Sequence, residues 1–207
     1  MNRLINAAIT GVLLLLLAGC GTLSARTDPS RFFTLSPLPQ TEDTATKSGS
    51  ASPGISLGIG PISFPGYLDR QEIVTRAAPN RIDLSENDRW AEPLEANFAR
   101  TLSQNLSSLL QTERLMFYPW ELNRRPTYQV EIEVLRFEAN AAGDVQLSAR
   151  WAVSDVNKKT PLSKESRLAR PVKVKSTEAS VAALSEALGD LSREIADAVR
   201  NIDGQRK

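Results

Sequence analysis

The 207-residue sequence contains no histidine and a single cysteine. Without histidine it lacks the commonest general base and the commonest side-chain metal ligand. With one thiol it has no disulfide within a chain, so the fold must stand on packing, which this length allows. An excess of either charge is also missing: 25 basic residues face 24 acidic ones. Nucleic acid rewards a strongly basic surface, so no nucleic-acid partner is expected. A serine triad needs its histidine, and no cluster of residues has metal-ligand spacing. Gly58-Ile59-Gly60-Pro61 touches the start of a dinucleotide fingerprint, but it lacks the third glycine and ends at a proline. Glu131 and Glu133 fall on what reads as the solvated face of a strand, where charge is ordinary. No catalytic residue, metal or soluble cofactor is therefore expected. A lysine- or carboxylate-based hydrolase is the alternative that spacing alone does not remove.

What the chain does have begins at its start. Arg3 precedes an apolar block from Ala7 to Ala18, broken only by Thr10 and Gly11. A positive start, a short apolar run and small residues at its end describe a secretory signal peptide. The block falls short of the roughly 20 residues a membrane-spanning helix needs. Leu17-Ala18-Gly19-Cys20 at its end resembles the bacterial lipobox, with Cys20 as the acylated residue. The expectation is removal of residues 1–19 and covalent N-acyl and S-diacylglycerol lipid on Cys20. An ordinary signal peptide with a chance cysteine is the competing reading. Several acyl chains, at about 0.8 kcal/mol per buried methylene, hold a protein on a bilayer without spanning it. Loss of Arg3 leaves 25 − 1 = 24 basic residues against 24 acidic ones.

Residues 20–30 read as the lipidated cysteine and a short polar tether, and residues 31–203 as a single domain. Arg31-Phe32-Phe33-Thr34-Leu35 predicts a first strand, and residues 40–54, poor in large apolar side chains, predict a mobile loop. Ile55, Leu57 and Ile59 alternate with small residues as a strand does. Ile73–Arg76 and Arg81–Leu84 flank Pro79-Asn80 as a short hairpin. Leu94, Phe98, Leu102, Leu106, Leu109 and Leu110 form one helical stripe, with Pro93 in its first turn and Asp88 or Glu92 near its start. Leu115–Tyr118 gives a short strand. Tyr128–Val134 and Val145–Val153 alternate on either side of a turn through Ala141-Ala142-Gly143-Asp144, with Glu131 or Glu133 set against Arg150. Two apolar residues in a row, Val134-Leu135, predict a bulge.

Seven basic residues fall between Lys158 and Lys175, with one acid among them, Glu165. They read either as an edge strand from Arg167 to Lys175 or as a patch for anionic lipid or an acidic partner. Last comes a helix from about Glu178 to Ile202, with Thr177 as N-cap and Gly204 as stop. Its seam of Val181, Leu184, Leu188, Leu191, Ile195, Val199 and Ile202 suits either its own sheet or a coiled coil. This order predicts an α+β fold: an antiparallel sheet with two main helices packed on one face, preceded by a lipidated tether.

Several blocks are shared with a known family. Pro65-Gly66-Tyr67-Leu68-Asp69-Arg70, Ile73-Val74-Thr75-Arg76, Arg89-Trp90-Ala91-Glu92-Pro93-Leu94 and Tyr118-Pro119-Trp120 carry the likeness, with Phe33-Thr34-Leu35 and Ala149-Arg150-Trp151. With them the chain resembles the PqiC family of ABC-type transport auxiliary lipoproteins. The resemblance implies a Gram-negative envelope lipoprotein working beside an MCE-domain protein of PqiB type and its inner-membrane partner. It implies lipid traffic across the periplasm, a part in membrane integrity, and a homo-oligomeric ring docking on the MCE tube. Gly21-Thr22 lacks the aspartate of an inner-membrane retention signal, which favours the periplasmic leaflet of the outer membrane. The resemblance transfers no catalytic or ligand residue. Tyr67, Leu68, Asp69, Arg70, Trp90 and Trp120 are candidates for partner binding, because proline-flanked aromatics in loops serve as contact surface. They serve equally well as lids over a small core, and Asp69 and Arg70 suit a local pair. A lipoprotein assembling another outer-membrane complex is a nearby alternative.

Overall fold

A computed structural model of the chain describes residues 29–39, 55–121, 125–155 and 162–205. The signal segment, Cys20, nearly all of the tether and the expected loop at 40–54 lie outside the described residues. Eight strands form one sheet: β1 (Arg31–Phe33), β2 (Leu57–Ser63), β3 (Glu72–Ala78), β4 (Arg81–Trp90), β5 (Leu115–Phe117), β6 (Tyr128–Asn140), β7 (Val145–Asp155) and β8 (Leu162–Arg170). Two helices, α1 (Leu94–Leu110) and α2 (Thr177–Gly204), complete the α+β fold.

Strand β6 is the spine. Along one edge it pairs antiparallel with β7 from Tyr128 to Ala139, and β7 pairs antiparallel with β8. Its other edge is shared. β2 lies parallel to its first half, and β3 lies parallel to its last two residues, Ala139 and Asn140. β5 continues the sheet from β2, while β4 and then β1 continue it from β3. The predicted bulge sits where β6 changes partner. Its register against β7 steps from Val134–Ala149 to Arg136–Ser148, leaving Leu135 as the extra residue.

The sheet is therefore mixed, where a wholly antiparallel one was expected. Alternation reports which face a residue occupies and is blind to strand direction. The parallel pairs β2–β6 and β2–β5 join segments far apart in sequence, with α1 supplying part of the crossover.

Alternation does fix the core. Tyr128, Val130, Ile132, Val134, Leu147, Trp151 and Val153 point under the helices, while Glu131, Glu133 and Arg150 stand on the open face. There Arg150 pairs with Glu133 and with Glu165, each at 3.3 Å. The α1 stripe meets the sheet through Phe98, whose ring packs edge-on to Phe64 and Phe137 at 5.3 and 5.4 Å. The α2 seam from Val181 to Val199 is buried on its own domain, with Ile202 packed beside it, so it is not a free coiled-coil face.

Several boundaries differ from expectation: β1 ends at Phe33 rather than Leu35, and Gly204 falls inside the last turn of α2, whose C-cap is Gln205. Ser176, not Thr177, caps α2, its hydroxyl oxygen accepting from the Ala179 N–H at 3.2 Å. Asp88 lies in β4 rather than near the start of α1, which begins after Pro93 without a side-chain cap. The edge strand ends at Arg170 because Pro171 brings no N–H, and Lys173 and Lys175 lie in the loop that follows. Three of the five described basic residues of the expected patch are neutralised locally. Lys164 pairs with Glu194, Arg167 with Glu165 and Arg170 with Asp190. Lys158 and Lys159 lie outside the described residues.

After β1 the chain runs as a strap against both helices. The Leu35 and Leu38 N–H groups donate to the side-chain carbonyls of Asn97 and Asn105 on α1, at 3.2 and 2.8 Å. The Ser36 N–H donates to the Ser185 hydroxyl on α2 at 3.1 Å, and Pro37 between them has no N–H to place. Leu38 lies over Gly189, where an added Cβ would come within 2.6 Å of its Cδ2. Glycine in mid-helix gives up about 1 kcal/mol of propensity, and here it makes room for the strap. Asn105 is buried and also donates to Ser192. Asn105→Ala strands the Leu38 N–H and is expected to lower stability by about 1–2 kcal/mol. Urea unfolding reads the loss, with faster amide exchange at Leu38 as its local mark.

Candidate functional site

β3 meets β6 over only two residues, so the β3–β4 pair diverges from the spine beside the first turn of α2. A cavity of about 420 Å³ lies in that cleft. Leu68, Ile73, Val74, Trp90, Phe137 and Leu184 form its apolar floor. Each is 7% exposed or less, so the floor is continuous with the core. The mouth is polar, with Arg31, Lys175, Ser176, Thr177 and Glu178 around it.

One network holds this mouth in shape. Asp88 is 5% exposed and takes two bonds from Arg31, Nε to Oδ1 at 2.7 Å and Nη2 to Oδ2 at 2.8 Å. The Thr177 hydroxyl donates to Oδ2, and the Asp88 N–H donates to the Ser85 hydroxyl at 3.0 Å. Arg31 also reaches Glu178 at 2.9 Å, so one guanidinium joins β1, β4 and the start of α2. The hydrogen bonds from Arg31 hold the Asp88 carboxyl below the usual carboxylate range against the opposing effect of burial, with Thr177 adding to them. A depressed carboxyl stabilises the fold above its unfolded pKa of about 3.9, and that contribution is lost as pH falls through the lower folded value. The urea midpoint is expected to fall on acidification below about pH 4, with a shallower fall in Asp88→Asn. Equal slopes for the two proteins would remove Asp88 from the acid response.

A second polar cluster lies on the opposite side of β6. Glu138 is 3% exposed. It accepts from Arg76 Nε at 2.7 Å, from the Tyr67 hydroxyl at 2.8 Å and from the Phe137 N–H at 3.0 Å. The Arg76 guanidinium also lies over the Tyr67 ring, 5.4 Å from its centroid. Burial, helped by the hydrogen bond to Glu138, pushes the Tyr67 phenol up to about 12.

The six residues singled out in the sequence do not share one site. Leu68 and Trp90 are buried in the cavity floor and offer a partner no surface in this fold; they are core, as lids over it would be. Tyr67 belongs to the Glu138 cluster. Asp69 and Arg70 are exposed, and Arg70 Nε donates to the Tyr67 carbonyl at 2.8 Å instead of pairing with Asp69. Trp120 is half-buried at the far end of the sheet. It meets Tyr118 edge-on at 5.5 Å and lies against Gly58, where an added Cβ would come within 2.8 Å of the indole. Gly58 pairs with Gln129, ten positions before Ala139, so Trp120 lies roughly 30 Å along β6 from the cavity. Cys20 lies outside the described residues.

The sequence reading missed Arg31, Asp88, Glu138 and Arg76. Nothing local separates Glu138 from Glu131 or Glu133, and its burial depends on a turn 71 positions upstream. Among the described residues no group of three or more acidic, histidine or cysteine side chains is placed to hold a metal ion. Asp88 and Glu138, the most deeply buried carboxylates of the two networks, are engaged by arginine and hydroxyl partners. The arrangement suits holding an apolar group beside a charged mouth.

A family model described as an ABC-type transport auxiliary lipoprotein component matches residues 33–196. A comparison with the curated proteins finds no match. Among solved structures, a crystal structure of an uncharacterised protein aligns at a TM-score of 0.65 and 18% identity, covering 82% of this chain and 98% of its own. A Xanthomonas campestris protein of the DUF330 family aligns at 0.61 and 16% identity, covering 86% of this chain and 100% of its own. At these identities the two structures speak for the fold alone.

Proposed function

The chain belongs to the family of ABC-type transport auxiliary lipoprotein components, and on that premise we propose that it is the lipid-anchored accessory subunit of an MCE-type envelope lipid-transport system. In this reading Cys20 carries the N-acyl and S-diacylglycerol chains and holds the domain on the periplasmic leaflet of the outer membrane. Copies associate in a ring and dock on an MCE-domain protein of PqiB type, contributing to membrane integrity. The subunit acts by binding and positioning, without turning over a substrate.

The observation that carries this reading is the family match over residues 33–196, joined to Leu17-Ala18-Gly19-Cys20 ahead of it. Among the described residues no helix is long and apolar enough to cross a membrane. In this reading attachment rests on the acylated cysteine. Exposed Asp69, Arg70 and Tyr118 and half-buried Trp120 are the surface residues proposed for partner contact. The test is affinity purification of the lipoprotein from detergent-solubilised envelopes. An MCE-domain protein is expected at stoichiometric yield, and its absence defeats the reading. Turnover of phospholipid or peptidoglycan by the purified protein, abolished by a single substitution, would replace it with a hydrolase.

A further inference from the structure

We propose that the cavity beside the first turn of α2 binds the tail of a single-chain anionic amphiphile, a fatty acid or a lysophospholipid, with the head at Lys175. The idea deepens the lipid-transport reading and rests on it for its biological meaning, but the binding itself depends only on the cavity.

Two features of the cavity set the ligand class. Its floor carries six apolar side chains, from Leu68 and Trp90 through Phe137 to Leu184, with Thr75, Asn140 and Ser180 also in the lining. Water gains few hydrogen bonds against those six side chains, and a protein interior is otherwise close-packed. A volume of about 420 Å³ lies within the roughly 300–1,000 Å³ of small-molecule sites and suits one acyl chain better than the pair on a diacyl lipid. The mouth, in turn, keeps one cation outside its ion-pair network. Arg31 is shared between Asp88 and Glu178. Lys175 enters no ion pair among the described residues and stands exposed at the rim. The positive end of the 28-residue α2 opens beside it.

Those features exclude the simpler occupants. Inorganic phosphate would satisfy Lys175 and leave the apolar floor uncovered. A neutral hydrocarbon would fill the floor and leave the ammonium idle. A cationic amphiphile would set its head against Lys175. An anionic head on a single chain uses both halves.

Trp90 lines the floor, whereas Trp151 belongs to β7 and Trp120 lies at the far end of the sheet. Bromine quenches indole fluorescence on contact, so a bromine-labelled fatty acid should quench Trp90. The protein for this measurement is residues 21–207 without lipid, which keeps every element described above. Saturable quenching is expected, and Trp90→Phe should abolish it. Lys175→Glu changes only an exposed loop side chain and should weaken the fatty acid about tenfold. A probe of equal chain length with a trimethylammonium head should bind more weakly than the carboxylate. A phosphate-headed probe compared with the carboxylate shows which source the site prefers, and saturable binding of either supports the proposal. Quenching that does not saturate, that survives Trp90→Phe, or that ignores the head charge would overturn it. A protein that co-purifies with its MCE partner yet shows no saturable quenching loses this proposal and keeps its place in transport. Quenching without the partner does the reverse.

Discussion

Exported behind a leader that is cleaved without lipidation, residues 21–207 are expected to leave the membrane fraction almost completely. One acyl chain binds a bilayer with a constant of only about 10⁴ M⁻¹, and each further chain adds about 0.8 kcal/mol per buried methylene. Removing all of them therefore lowers membrane partition by many orders of magnitude. Among the described residues no helix can span a bilayer, and the apolar seam of α2 is spent on its own sheet. Fractionation in high salt reads the change, and the mass of the native N-terminus confirms the modification on Cys20. A delipidated chain that still pelleted with membranes would show that the address is written in the protein surface, and the anchored-subunit reading would fall with it.

Glu138→Ala is expected to be the most damaging single substitution in the polar interior, at about 3–5 kcal/mol, because it leaves the mostly buried Arg76 guanidinium without its counter-charge. In a chain of this size that corresponds to a fall in Tm of roughly 10 °C. The cost comes from the orphaned charge more than from the lost bond. Arg76→Met added to Glu138→Ala should therefore recover a large share of the loss; if the two losses simply add, the cluster is not a coupled unit. Tyr67 provides a second readout. Its phenol, raised to about 12 by burial and by Glu138, should ionise earlier in Glu138→Ala but stay above the ordinary value of about 10, since burial is the larger cause. The raised phenol favours folding below its unfolded pKa, and that contribution disappears as pH rises through about 12.

How much of this was legible in the sequence depended on the range of the interaction. The stripe from Leu94 to Leu110, the seam from Val181 to Val199 and the hairpin through Gly143 are local patterns, and each occupies the predicted element. Even the bulge at Leu135 left a mark, two apolar residues where one was due. Strand direction left none, because β2 and β6 alternate identically whether they run together or opposed. Charge pairs were legible only within a hairpin, as with Glu133 and Arg150, and the distant ones left no mark. Arg31 and Asp88 are 57 positions apart, and Arg76 and Glu138 are 62 apart. Proline-flanked aromatics marked real structure but not shared structure. Trp90 went into the core and Trp120 to the far corner, because one ends a strand beneath α2 and the other follows the edge strand β5.

The strap across the helices determines how force reaches the body. A pull on an anchored N-terminus arrives at Arg31, whose clamp on Asp88 lies at the head of a line of three backbone donors held by α1 and α2. The helices hold the main chain at these three N–H groups, and the Leu35 and Leu38 side chains add packing to the same grip. A load entering at the N-terminal end of the strap is thus divided between both helices and the sheet.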